Sequence, residues 1–117
     1  MPLLEAHEQD LRASRARDPH VASVESVWAP SHKIKEMSTD AITKRVNALL
    51  HERGETLRYN SLEIGWKLRN LGLLSKHNGK RRTLRFTRDV RRQIHRLAAQ
   101  FGLQLPKVAD CDDCKGM

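Results

Sequence analysis

Cysteine is scarce. Only Cys111 and Cys114 occur in 117 residues, which excludes the disulfide framework that holds many small secreted domains together. Aromatic residues are nearly as rare, with two Trp, one Tyr and two Phe. A chain so poor in rings lacks the stacking platform on which RNA-binding sheets splay unpaired bases. No apolar run approaches the ~20 residues that cross a bilayer. The opening MPLLEAHEQD carries early acids and no apolar centre of a signal peptide. The expectation is a protein with no membrane partner and a cytoplasmic location, nucleoid-associated if it binds DNA.

Catalytic patterns are missing too. There is no Walker loop, no G-x-G-x-x-G and no H-E-x-x-H. His7, His20, His32, His51, His77 and His95 are scattered, with no Ser/His/Asp grouping. Asp40, Glu52, Glu55 and Glu63 are separated acids suited to capping and solubility. These absences predict neither an enzyme nor a small-molecule substrate, and no cofactor. Cys111 and Cys114 have C-x₂-C spacing, which is half of a four-ligand zinc site. No second C-x₂-C or H-x₃-H pair follows, so His95 and His77 would have to come from a distance, or a second chain would share the site. On spacing alone no metal is assigned. No βαβ pattern surrounds the pair to suggest redox work.

Acid is nearly absent from one long stretch. Residues 67–96 hold Lys67, Arg69, Lys76, Lys80, Arg81, Arg82, Arg85, Arg88, Arg91, Arg92 and Arg96 against Asp89 alone. Eleven basic residues less one acid give +10, in a chain of net +8, so everything else sums to −2. Charge this concentrated is the electrostatic footprint of a nucleic-acid-binding surface.

The composition, 31% charged with mean hydropathy −0.66, fits one small domain, in which Leu, Ile and Val supply a modest core. Residues 3–16 are helix-compatible, with Leu4, Leu11 and several Ala, until Asp18-Pro19 breaks the pattern. Val21, Val24, Val27 and Trp28 alternate loosely, as a strand or an irregular packing segment would, and Pro30 ends them. Residues 33–37 read as a short half-buried strand. Ser38, Thr39 and Asp40 offer N-caps for a helix whose apolar face is Ile42, Val46, Leu49 and Leu50, closed by Gly54. Ser61 caps the next helix, with Ile64, Leu68 and Leu71 inward and Gly72 at its end. Residues 73–76 and 82–87 read as strands joined through Asn78-Gly79, a strong hairpin signal. Thr87 caps a last helix with Val90, Ile94, Leu97 and Phe101 on one face and Gly102 at its stop. From Pro106 onward no periodicity remains, which predicts a mobile tail. The expected class is mainly α with a small β-hairpin (α+β). The expected division is an N-terminal helix and irregular segment over 1–32, a domain over 33–104 and a flexible tail over 105–117.

The order helix, strand, helix, helix, hairpin, helix resembles the winged helix-turn-helix family over residues 33–103. The run SLEIGWKLRNLGLLSKHNGKRRTLRFT carries most of the resemblance. It has the form x-x-I-G-x-x-L-R-x-L-G-L of a recognition helix, from Ser61 to Gly72, followed by a hairpin wing over 73–87. A weaker resemblance links the same stretch to the C-terminal module of phage- and plasmid-type primase/helicase-like proteins, without their ATPase motifs. Two features depart from the winged-helix pattern. About eight residues, 54–61, join the two central helices where a tight turn is usual. Residues 3–16 are the sole candidate for the family's first helix.

The resemblance implies double-stranded DNA as partner, with residues 61–72 in the major groove. At 100° per residue, Ile64, Leu68 and Leu71 face the core and Leu62, Trp66, Arg69 and Asn70 face out, with Glu63 and Lys67 at the edge. Arg can bind guanine and Asn adenine in bidentate fashion, so Arg69 and Asn70, with Trp66, are the candidate base contacts. A lone Trp more often packs, in this chain beneath Trp28 or Leu57. Backbone contacts fall to Lys67, to Lys76, Lys80, Arg81, Arg82 and Arg85 of the wing, and to Arg88, Arg91, Arg92 and Arg96 of the last helix. His95 is expected on that last outward stripe. Two other readings use the same face: a docking module for an acidic protein partner, or RNA binding. The N-terminal third, residues 1–39, is a further candidate for contact with a protein partner.

Overall fold

The computed structural model describes residues 18–79 and 81–116. In chain order the elements are α1 (Pro19–Lys33), β1 (Glu36–Ser38), α2 (Thr39–Glu52), α3 (Ser61–Asn70), β2 (Lys76–Asn78), β3 (Arg81–Arg85), α4 (Arg88–Gln100) and the single turn α5 (Asp112–Lys115). The chain is mainly helical, with one small antiparallel sheet of order β1-β3-β2. Among the described residues, no helix is long and apolar enough to cross a membrane.

The largest correction concerns residues 21–28, expected as a strand or an irregular packing segment, which lie within a helix over 19–33. The Asp18 side chain accepts from the His20 N–H at 2.8 Å, and Pro19 takes the first helical turn. Proline has no N–H to waste there and its φ is already helical, so Asp18-Pro19 starts a helix where it was expected to break one. Val21, Val24, Val27 and Trp28 are all buried, at spacings of three, six and seven that fit one helical face. Ser23, Ser26 and Ser31, also buried, donate their hydroxyls to the carbonyls of Pro19, Ser23 and Trp28. Each polar group is thereby satisfied without leaving the helix.

Pro30 lies inside α1 and does not end it. It lacks the N–H that would bond the Ser26 carbonyl. Arg45 of α2 supplies the donor instead, its Nε 2.9 Å from Ser26 O. The helix survives its proline because a neighbouring helix completes the broken ladder.

α1 packs against α2, α3 and α4. Ile42, Val46 and Leu50 of α2, Ile64 and Leu68 of α3, Leu84 of β3 and Ile94 of α4 all have no exposed surface. The expected boundary at 32/33 thus falls within a helix that shares the common core. The expected helix over 3–16 lies outside the described residues.

The caps follow local chemistry. Ser38 Oγ accepts from Ala41 N and Thr87 Oγ1 from Val90 N. Asn60, one residue before the expected Ser61, caps α3 in a reciprocal box with Glu63. The expected stops Gly54, Gly72 and Gly102 all take positive φ. At Gly72, φ is +78° and the Gln93 side chain lies beside it. A Cβ there would be strained and would press on the donor that Gln93 sends to Leu71 O at 3.0 Å.

In the sheet, Met37 pairs with Leu84 and His77 with Arg82. β2 begins at Lys76 and not at Leu73: Leu73 is buried and its N–H still donates to Leu68 O in the turn that closes α3. The pairing of Asn78 with Arg81 puts Gly79, with φ +67°, at the first turn position. The hairpin therefore turns one residue later than Asn78-Gly79 would have it. The segment after α4 is also anchored: Trp28 Nε1 donates to Pro106 O at 2.8 Å and Cys114 is buried. The expected mobile tail packs back on the helices.

Candidate nucleic-acid interface

α3 buries Ile64, Gly65 and Leu68. The residues between them must therefore face outward. Leu62 is 57% exposed and Trp66 59% exposed. Arg69 and Asn70 are exposed on the same side. Trp66 does not pack beneath Trp28 or Leu57: Trp28 is buried elsewhere and Leu57 is itself exposed. The helical period overrides the usual fate of a lone tryptophan because the inward stripe is already filled by aliphatic side chains. Trp66, Arg69 and Asn70 thus share one surface at i, i+3 and i+4.

The position of α3 is set by its long connection to α2. Asn47 of α2 donates from Nδ2 to Tyr59 O and accepts from Tyr59 N, both at 2.9 Å. Asp40 and Ser61 add a side-chain hydrogen bond between the starts of α2 and α3. Lys67 lies with its ammonium 5.3 Å from the Tyr59 ring centroid. It is partly buried, turned toward the connection. Burial, with help from Glu55 and Glu63, raises the Tyr59 hydroxyl pKa.

Thr39, Asp40, Ser61 and Leu62 from the helix starts line one groove with His77, Arg81 and Arg82 of the hairpin. The hairpin arginines and the first turn of α3 are therefore neighbours. Arg82 donates from Nε to His77 at 3.2 Å across the strands. Arg85 pairs loosely with Glu36, at 3.7 Å with both side chains half-exposed or more, a contact of little energy in water. Lys76 and Arg81 are exposed; Lys80 lies outside the described residues.

The arginine face of α4 is less uniform than its sequence implies. Arg88 and Arg96 are exposed. Arg91 donates from Nε to Ser31 O at 2.8 Å and is a bridge to α1. Arg92 lies 4.0 Å from Asp113, and a cavity is lined by Arg88, Arg91, Arg92, Asp110, Asp112 and Asp113. The acids that are missing nearby in sequence arrive from the C-terminal segment. His95 is not on the outward face at all; it is 4% exposed.

His95 meets three residues that sequence spacing could not bring together. Its Nε2 lies 3.2 Å from His32 Nε2, 3.1 Å from Cys114 Sγ and 3.5 Å from Cys111 Sγ. The partner of the cysteine pair is thus His32, not His77, which is exposed on the hairpin. Burial raises the Cys114 thiol pKa, with Cys111 adding to the effect. His32 was missed because residues 19–33 were not read as a helix, and only that helix presents it beside α4.

No family model, no curated protein and no solved structure matches this chain.

Proposed function

We propose that the protein is a double-stranded DNA-binding module of winged-helix type, with α3 entering the major groove and the β2–β3 hairpin acting as the wing. The observation that carries this reading is the outward face of α3. There Trp66 is 59% exposed beside exposed Arg69 and Asn70, next to a groove lined by Arg81 and Arg82. The element order supports it. In this reading α1, which packs on α2 and α3, serves as the family's first helix in place of residues 3–16, and β1 joins the hairpin in one sheet.

Within this reading Trp66, Arg69 and Asn70 contact bases, and Lys76, Arg81, Arg82, Arg85, Arg88 and Arg96 hold phosphates. Arg91 and Lys67, both partly buried, are assigned to the fold before the ligand, and at Arg92 the neighbouring Asp113 competes with a phosphate. A non-enzymatic role in the cytoplasm, on the nucleoid, goes with this proposal. With about six phosphate contacts, log K falls against log salt with a slope of about −5.

The test is a titration of the full chain against random-sequence duplex pools at two salt concentrations, followed by sequencing of the retained fraction. Binding at low salt with the predicted slope supports the proposal; absence of binding at low salt overturns it. Leu62 and Trp66, exposed at i and i+4, favour a second reading as a protein-docking face. Binding to a protein partner that persists in half-molar salt, with no response to duplex, selects that reading.

A further inference from the structure

His32 sits in the last turn of α1, His95 in the middle of α4, and Cys111 and Cys114 at either end of the C-terminal turn. Their four donor atoms lie within 4.8 Å of one another. A tetrahedral zinc ion has Zn–N of about 2.0–2.1 Å and Zn–S of about 2.3 Å, so its ligand atoms stand about 3.3 Å apart for N–N and about 3.6 Å for N–S. The contacts here are 3.2 Å for the two Nε2 atoms and 3.1, 3.4 and 3.5 Å for the N–S pairs. Four of the six edges of a ligand tetrahedron are thus close to these lengths, and none exceeds 4.8 Å.

The imidazole tautomers point the same way. His32 Nδ1 lies 2.7 Å from Trp28 O, and His95 Nδ1 lies 2.6 Å from Arg91 O. A carbonyl only accepts, so each Nδ1 carries the hydrogen. Each neutral ring then presents a bare lone pair at Nε2, and the two lone pairs face each other at 3.2 Å. A cation between them would satisfy both lone pairs at once, where the neighbouring thiols could each offer only one weak S–H donor. Helix carbonyls that fix the tautomer and aim Nε2 are the usual outer shell of a metal-binding histidine. Two thiolates cancel the charge of a divalent ion, so the filled cluster is neutral, as a buried group should be. Trp28 closes one side, its ring centroid 5.0 Å from His32 and 4.5 Å from His95.

We propose that His32, His95, Cys111 and Cys114 form a closed, structural Zn²⁺ site that fastens the C-terminal segment to α1 and α4. Four protein ligands of N₂S₂ type fill the tetrahedron and leave no position for substrate. The segment needs such a clamp. Past Leu105 and the Pro106 contact, the two cysteines themselves supply its packing against the core, while Val108 is 37% exposed and α5 has a single turn of four residues. Metal binding in a small domain contributes directly to folding.

The test uses the full chain, purified reduced and without chelator. Metal analysis is expected to find one zinc per chain. After chelation, Co²⁺ titration of the wild type is expected to give the visible bands of four-coordinate cobalt and a near-ultraviolet thiolate charge-transfer band, saturating at one equivalent. Cys111→Ser is the informative variant because Cys111 is only partly buried. It should lose about half of the charge-transfer intensity. Loss of an outer-shell partner costs about 10–100-fold in metal affinity, so loss of a direct ligand is expected to cost at least about 100-fold. His77→Ala should bind as the wild type does. Wild-type protein with no stoichiometric zinc and no cobalt bands overturns the proposal and leaves a cluster of thiol-to-imidazole hydrogen bonds. Undiminished binding in His32→Ala or Cys111→Ser overturns the ligand assignment. The wild-type cobalt titration decides the matter even if His95→Ala fails to fold.

Discussion

Asn47 and Tyr59 are joined by two hydrogen bonds, each 2.9 Å, between the Asn47 side-chain amide and the backbone N–H and C=O of Tyr59. The pair turns a long connection into a fixed one. Asn47→Ala leaves the partly buried Tyr59 N–H and C=O without partners, and each unsatisfied group costs about 1–3 kcal/mol. We expect a stability loss within that range in urea melts, since water can reach one side. We also expect weaker duplex binding with an unchanged salt slope, because α3 is displaced and no cation is lost. A changed slope would mean that Asn47 acts on the charged surface instead.

Arg45 offers a sharper test of how α1 tolerates its proline. Arg45→Met removes the donor to Ser26 O and should cost about 1–2 kcal/mol. In a Pro30→Ala background the restored N–H at residue 30 can take the same carbonyl, and Arg45→Met should then cost much less. A double-mutant cycle reads this directly, with an expected coupling of about 1 kcal/mol. Independent effects would remove the carbonyl from the explanation.

Much of the helical core was legible because α2, α3 and α4 carry apolar residues at i, i+4 and i+7 with an N-cap before and a glycine after. α1 was not. Its apolar face is diluted by three buried serines and bracketed by two prolines, and those hydroxyls look polar until their bonds to helix carbonyls are seen. With α1 unread, His32 had no place, and Cys111 and Cys114 lacked the ligands that the fold supplies. The hairpin's existence was legible from Asn78-Gly79. Its register was set by pairing across three strands and by burial of Leu73, neither of which is a local signal.

Trp66 separates surface function from stability. It is 59% exposed, so Trp66→Ala should change the midpoint of thermal unfolding by little, with a stability effect within about 0.5 kcal/mol. Duplex affinity should fall by about tenfold or more if the ring stacks against sugar or base. A stability loss above 2 kcal/mol with intact binding would place the ring in a packing role after all.

Arginines that look alike in sequence should divide into three behaviours. Arg69 is exposed on α3, and a bidentate base contact is worth about 1–3 kcal/mol of discrimination. Arg69→Ala should therefore narrow the gap between preferred and random duplexes more than it alters the salt slope. Arg81 and Arg82 line the groove beside α3; their joint replacement by alanine should weaken binding to every duplex and reduce the slope by about two, one per phosphate contact. Arg91 spans to Ser31 O within the protein, so Arg91→Ala should lower the unfolding midpoint and leave the slope alone. Measuring slope, sequence preference and stability on the same three variants separates the roles. If all three lose affinity in parallel with no change in slope, the basic block acts through the fold and not through contact with phosphate.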